Sequence, residues 1–254
     1  MVEIDDHLRN AADKIRKSRY TTAFTGAGIS VESGIPPFRG AGGLWNKYNP
    51  EILEINYFKA FPLESWQVIK DIFYDFFTSA MPNPAHLLLA QMEKEGMLAR
   101  VITQNIDNLH QEAGNKQVFD FHGNSRKLIC MACHRHYPIR EVSFDHLPPT
   151  CRECGGVLKP DFVFFGEGIP PMPLAAAYEA AELSDVFLLI GTTGEVSPAN
   201  HFPPLAKANG AVIIEVNPEP SLYTDKITDI FLRGKAGEVM SRLGAILFPP
   251  TLND

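Results

Sequence analysis

The 254 residues carry 45% apolar side chains and a net charge of -7, from 23 Lys and Arg against 30 Asp and Glu. That is enough chain to bury a sizeable core, in one large domain or a large and a small one. No run of 18 apolar residues occurs, so no membrane span is indicated, and an acidic chain without a Lys/Arg block argues against nucleic acid as its main ligand.

The first predicted element is a helix over residues 4–17, from the apolar stripe Ile4, Leu8, Ala11, Ala12 and Ile15. This segment is charged and lacks the apolar core of a secretory signal, so a cytoplasmic location is expected. A buried strand follows at Tyr20–Phe24. Gly26 and Gly28 then predict a sharp turn that brings bare backbone N–H groups to a ligand. Ser30, Glu32, Ser33 and Arg39 add polar groups to the following loop. Strand, glycine turn and polar loop is how an α/β sheet holds phosphates, although an ordinary tight turn has the same short signature. Residues 41–83 begin irregular and turn helical. Their aromatic side chains (Trp45, Tyr57, Phe58, Phe61, Trp66, Phe73, Tyr74, Phe76 and Phe77) belong mostly to a core.

A helix over 85–95 leads to strand Arg100–Thr103, the segment Thr103–His110 (TQNIDNLH), a short helix to Ala113, and strand Gln117–Phe121 ending in His122–Gly123. The four cysteines come next: Cys130, Cys133, Cys151 and Cys154, two C-x2-C pairs 17 residues apart. In a cytoplasmic chain that spacing predicts one tetrahedral, structural Zn²⁺, because four thiolates leave no open coordination position. A module of about 127–158 thus interrupts a β/α alternation that resumes afterwards. The continuation is helix 172–183, strand Val186–Ile190, Gly191–Asn200, a helix to Asn209, strand Ala211–Val216, a short strand near Ile227–Phe231 and a last helix opened by Arg233–Val239.

Six strands alternating with helices predict a doubly wound parallel sheet, a Rossmann-like α/β domain formed by 1–126 and 159–254, with a helical insertion at about 41–83 and a smaller inserted zinc-binding domain at 127–158. Polar or glycine-rich segments follow five of the strands, and in such a sheet they share one crevice, which predicts a nucleotide site. The pattern fits the standard dehydrogenase site poorly. Val31 stands where G-x-G-x-x-G has its third glycine, and the acid expected about 20 positions on falls at Glu51 or Glu54, outside any strand.

Taken in order, GAGIS-x-ESGIP-x-FRG, GLW, TQNID-x-LH, HG, the two C-x2-C pairs, FGE, GTT and GKA resemble a sirtuin, an NAD-dependent protein-lysine deacylase, from Thr25 to about Glu238. The resemblance implies a Rossmann-like domain and a small zinc domain, with NAD and an acyl-lysine peptide entering the cleft between them. It implies NAD contacts from Gly26, Ala27, Gly28, Ser30, Phe38, Arg39 and Trp45. The nicotinamide end falls to Gln104, Asn105, Ile106 and Asp107, and the adenosine half to Gly191, Thr192, Thr193, Asn217 and Ala236. It makes His122 the general base, with Asn105 and Asp107 beside it in the catalytic set. The acyl oxygen attacks C1′ of the ribose as nicotinamide leaves, His122 takes a ribose hydroxyl proton, and the products are free lysine, nicotinamide and 2′-O-acyl-ADP-ribose. Val163, Phe165 and Gly166 of FVFFGE are the implied peptide contacts; by spacing alone FVFF reads as a buried strand.

Several positions depart from the family pattern. Sirtuins that take malonyl or succinyl lysine carry a Tyr-x-x-Arg pair; here Tyr74 is followed by Phe77, which leaves an acidic acyl group unpaired and predicts a deacetylase. Pro37 replaces a usual Thr, Thr193 a usual Ser, and Ser197 and Asn200 alter the usual V-x-P-A-A. Three other readings stay open at this level: mono-ADP-ribosyl transfer to protein, a non-catalytic NAD-sensing or zinc-ribbon module, and a dehydrogenase.

Overall fold

A computed structural model describes residues 2–40, 42–76 and 79–249. Among them, six strands form one parallel sheet in the order β3-β2-β1-β7-β8-β9. These are β1 (Thr21–Thr25), β2 (Arg100–Thr103), β3 (Val118–Asp120), β7 (Val186–Ile190), β8 (Val212–Asn217) and β9 (Ile230–Arg233). The central strands β1 and β7 are buried at every position, as strands covered on both faces must be. Their side chains alternate between two cores. Val186, Leu188 and Ile190 join Ala23, Val101 and Ile214 under helices α1 (Val2–Lys17), α4 (Pro84–Lys94) and α8 (Ala236–Leu247). Phe187 and Leu189 join Phe24, Ile102 and Ile213 under α6 (Pro171–Leu183) and α7 (Phe202–Ala208). Each such fully buried side chain contributes roughly 1.5–3 kcal/mol.

A second, antiparallel sheet, ordered β5-β4-β6, is built from β4 (Gly123–Cys130), β5 (His136–Pro138) and β6 (Leu158–Phe162). Its core is shared with the aromatic insertion: Leu128, Tyr137 and Phe162 pack with Phe58, Trp66 and Phe73. The insertion comprises α2 (Ile55–Ala60), α3 (Pro62–Ile69) and a π-helical turn, Lys70–Phe76, with Phe61 capping the end of α2 and Pro62 opening α3 directly after it. At its end Asn83 caps α4, accepting from the Ala85 N–H (2.9 Å) while its own N–H donates to His86 Nδ1 (3.3 Å). The Asn83 amide also donates to the Ile29 carbonyl (2.7 Å) and the Ser33 hydroxyl (3.0 Å), tying this corner to the glycine loop.

Helix α5 (Leu109–Ala113) completes the order. The strand expected at FVFF ends at Phe162 instead. Phe165 leaves the small sheet to bridge the insertion: its N–H donates to Leu53 O (2.8 Å) and its carbonyl accepts from Ile55 N (3.0 Å). Among the described residues, no helix is long and apolar enough to cross a membrane.

Candidate active site

The carboxyl ends of β1, β2, β7 and β8 open into one cleft of about 740 Å³, whose other wall is the small sheet and its exit segment. The geometry of the glycine turn differs from the sequence expectation in one respect. The N–H groups of Gly26 and Gly28 are not bare: they donate to Ile190 O (3.0 Å) and Gly191 O (2.9 Å). The glycines serve close approach. A Cβ on Gly28 would stand 2.6 Å from Gly191 Cα, and one on Gly191 would stand 2.3 Å from Ile29 N. Three glycines therefore let the ends of β1 and β7 touch, and the cleft floor is backbone on both sides.

The turn continues into a 3₁₀ helix, Ala27–Ser33, whose Glu32 carboxylate accepts the Gly237 N–H at the start of α8 (2.5 Å). Phe38 stacks against Trp45 with centroids 5.3 Å apart, and exposed Arg39 lies at the rim.

Behind this floor lies a polar chain. Asn105 donates to Gly26 O (3.2 Å) and the Ser30 hydroxyl (3.1 Å), and Ser30 donates to Asp107 Oδ2 (2.7 Å). Burial pushes the Asp107 carboxyl above its ordinary value, opposed by the Ser30 and Leu109 donors. Gln104 bridges to the Thr192 hydroxyl (3.1 Å). Gln104, Asn105 and Ile106 line the cleft; Ser30 and Asp107 support it from behind.

His122 stands where the two walls meet. Its Nδ1 lies 3.0 Å from the Gln104 carbonyl oxygen. A carbonyl only accepts, so Nδ1 carries the proton and Nε2 keeps the lone pair. Burial holds the imidazole below the ordinary histidine value, against the Gln104 hydrogen bond, so Nε2 is a free base at neutral pH. The following Gly123 has φ +73°, and a Cβ there would meet Asp161 O at 2.4 Å.

The exit segment is pinned by a buried lysine of β6. Lys159 is 4% exposed; its ammonium donates to Phe162 O (2.7 Å) and Pro160 O (2.9 Å) and pairs with Glu167 (2.9 Å). Glu167 in turn accepts the Phe164 N–H (2.8 Å). Val163, Phe165 and Gly166 all line the cleft, but Phe165 offers a side chain only, since its backbone groups are already paired. Tyr74 is placed elsewhere. It is stacked between Trp66 and Phe144, its hydroxyl buried without a partner, and it does not line the cleft. Phe77 lies outside the described residues.

Beyond the sequence expectation, the cleft is lined by Glu195, Ser197, Ser221 and Lys235. A second hidden group is the pair of buried imidazoles His86 and His110, 4.9 Å apart, with His110 Nε2 on the Thr25 hydroxyl (2.9 Å). Burial pushes both below the ordinary histidine value, His86 to about 4.

The four cysteine sulfurs all lie within 4.8 Å of one another. Cys130 and Cys154 are 3.5 Å apart, Cys133 and Cys151 3.7 Å. Four Zn–S bonds of about 2.3 Å at tetrahedral angles put sulfurs about 3.8 Å apart, so the donor set fits zinc. Backbone N–H groups of Ala132 and Cys133 point at Cys130 Sγ (3.4 Å each) and the Tyr137 hydroxyl at Cys151 Sγ (3.0 Å), which suits thiolates.

A doubly wound sheet with a crevice at its carboxyl end, a single free imidazole base and a four-thiolate module define a nucleotide-dependent enzyme of two-part architecture. The Sir2 family pattern matches residues 26–198, and the chain belongs to the Sir2 family. It is 45% identical over 238 residues to NAD-dependent protein deacylase 2 of Pyrobaculum aerophilum, covering 92% of this chain and 93% of that one. Among solved structures, a Sir2 homolog–NAD complex superposes with TM-score 0.86 at 40% identity, covering 94% of this chain and 93% of the other. A Sir2–p53 peptide–NAD⁺ complex does so with TM-score 0.86 at 33% identity, over 92% and 95%.

Proposed function

We propose that the protein is an NAD-dependent protein-lysine deacylase, acting as a deacetylase. The observation that carries this reading is His122: one imidazole with its basic nitrogen fixed, at the junction of a nucleotide-sized crevice and a segment suited to a peptide. Solved Sir2 relatives hold NAD and a peptide in the corresponding fold. NAD acts as a consumed co-substrate: its nicotinamide is released and the ADP-ribose part carries the acyl group away.

In this reading Gly26, Ala27, Gly28, Phe38 and Arg39 cover the pyrophosphate and adjoining ribose, with Trp45 backing Phe38. Gln104, Asn105 and Ile106 surround the nicotinamide end, with Ser30 and Asp107 holding Asn105 in place. Gly191, Thr192, Thr193, Asn217 and Ala236 receive the adenosine half. His122 Nε2 accepts a proton from a ribose hydroxyl. Val163, whose N–H is already given to His122 O (2.7 Å), presents its carbonyl to the substrate peptide, Gly166 its backbone and Phe165 its ring. Cys130, Cys133, Cys151 and Cys154 hold a structural Zn²⁺ in the inserted module, whose expected bounds of about 127–158 widen with the small sheet, its strands starting at Gly123 and ending at Phe162. The substrates are acylated lysines of proteins.

The test is a panel of acyl-lysine peptides with NAD, read by mass spectrometry. Acetyl peptide should yield free lysine and acyl-ADP-ribose. Succinyl and malonyl peptides should react at least about tenfold more slowly, because the segment at Tyr74 lacks the arginine of the Tyr-x-x-Arg pair, which supplies a cation to a desolvated carboxylate. ADP-ribose on protein with the acetyl group untouched would sink the reading in favour of transfer to protein.

The cover of the cleft should also respond to NAD. Residues 37–40 and 42–46 hold Phe38, Arg39 and Trp45 at the rim, and their amides should gain protection in hydrogen exchange when NAD is added. Amides of 27–33, already tied to Asn83 and α8, should change little. Equal exchange of 37–46 with and without NAD would contradict a closing role.

A further inference from the structure

Strand β8 carries an anomaly. In the run Val212–Asn217, buried among Ile213, Ile214 and Val216, sits Glu215 at 0% exposure. A carboxylate there needs donors, and three reach it: Asn217 Nδ2 (2.9 Å) on one oxygen, and the hydroxyls of Thr224 (3.0 Å) and Thr228 (2.7 Å) on the other. Glu215 and Asn217 are two apart in a strand and so share a face. The second Asn217 N–H donates to Thr192 O (3.1 Å).

Both partners of that amide are acceptors, so its orientation is dictated rather than chosen. Nδ2 must face Glu215 and Thr192, and no donor among the described residues reaches Oδ1. Asn217 lines the cleft, so what it presents to a ligand there is an acceptor. The same carboxylate fixes the loop that follows, because Thr224 also accepts the N–H of cleft-lining Ser221 (2.8 Å).

We infer that Glu215 is a positioning residue for cofactor selection: it locks Asn217 as an acceptor, which takes a ribose hydroxyl and refuses a ribose phosphate. This rests on the adenosine half of NAD lying at this end of the cleft. A hydroxyl donates to Oδ1; a phosphate ester offers only acceptors and brings negative charge into a cleft lined by Glu195 and Glu219. Arg233 does not offset this freely, since its guanidinium is paired with Glu219 (2.7 Å). Lys235 lines the same end and favours an anion, and the NADP measurement reports which influence wins.

The experiment is calorimetric binding of NAD, NADP and ADP-ribose to wild type, Glu215→Gln and Glu215→Leu, with thermal unfolding as the check on folding. Wild type should prefer NAD to NADP by at least about 100-fold, the scale on which a site built for one hydrogen bond rejects its mismatch. Glu215→Leu leaves Thr192 O as the one acceptor orienting the amide, so its Kd for NAD and ADP-ribose should rise about tenfold and its preference for NAD over NADP should narrow to about tenfold or less. Glu215→Gln keeps a carbonyl for Asn217 and a donor for the threonine oxygens, so it should restore the preference. Should Glu215→Leu fail to fold, Glu215→Asp withdraws the carboxylate by one methylene and should narrow the same ratio. A folded Glu215→Leu or Glu215→Asp protein with the wild-type ratio overturns the inference, as does a wild type that binds NADP as well as NAD. A wild type that binds neither NAD nor ADP-ribose overturns the cofactor reading and this inference together.

Discussion

Replacing His122 with alanine should abolish deacylation, lowering kcat/KM by about 10²–10⁴, the range a positioned general base supplies. NAD affinity should change little. Nδ1 is committed to the Gln104 carbonyl, and the side chain closes the junction of the walls rather than the nucleotide end. The wild-type pH profile carries the same assignment. Burial lowers the imidazole pKa, so the base form persists to lower pH than in a free histidine. Activity should therefore be lost as pH falls through a value below 6.5, not at it. Steady-state rates between pH 5 and 9 with saturating peptide, and calorimetry of NAD binding to His122→Ala, check both halves. An acid limb above the ordinary histidine value, or turnover in the variant within a few-fold of wild type, would falsify the assignment.

How far this was legible beforehand differs by residue. The parallel sheet was readable because β7 is an unbroken apolar run and β1 a short run of threonine, alanine and phenylalanine, each followed by glycine, and strands buried on both faces leave such a trace. The crevice followed from where the polar segments fall relative to strand ends. The cysteine cluster was readable because ligand spacing is local in sequence. What escaped was whatever depends on a distant partner. Gly26 and Gly28 looked like donors of free N–H groups, yet their role is to admit Gly191, more than 160 positions away. FVFF looked like a strand by pattern, but Phe165 finds its backbone partners in Leu53 and Ile55. Tyr74 looked like a pocket residue by alignment, but its aromatic neighbours Trp66 and Phe144 hold it in a core.

Charged residues inside apolar runs were the unused signal. Lys159 and Glu215 both sit in strands, both are nearly or fully buried, and each organises one side of the cleft. Lys159 ties β6 to Glu167; Glu215 ties β8 to Asn217 and the loop beyond. Burying a charge costs several kcal/mol unless it is paired and hydrogen-bonded. A strand charge without an obvious neighbour in sequence therefore marks a network that the fold completes.

Removing the zinc should be as damaging as removing His122, by a different route. Strand β4 begins at Gly123, directly after His122, and ends at Cys130; β6 begins at Leu158, shortly after Cys154, and ends at Phe162, directly before Val163. A metal held by the four cysteines would thus fasten the far ends of the two strands whose near ends lead to His122 and to the proposed peptide segment. Structural zinc contributes about 10–16 kcal/mol to the folding of small metal modules, against about 5–15 kcal/mol for the net stability of a domain. Without it the small sheet has only three strands and a core borrowed from the insertion. Chelation, or Cys151→Ser, should therefore lower turnover at least about 100-fold, because β4 no longer holds His122 in place. ADP-ribose should still bind within about tenfold of wild type, since its floor is the end of the parallel sheet, where β1 and β7 meet through glycine. Metal analysis, turnover and ADP-ribose calorimetry on one preparation separate the two effects. A zinc-free protein with full turnover would remove the metal from the structural role assigned to it. Loss of ADP-ribose binding in step with turnover would show instead that the two sheets fold as one unit.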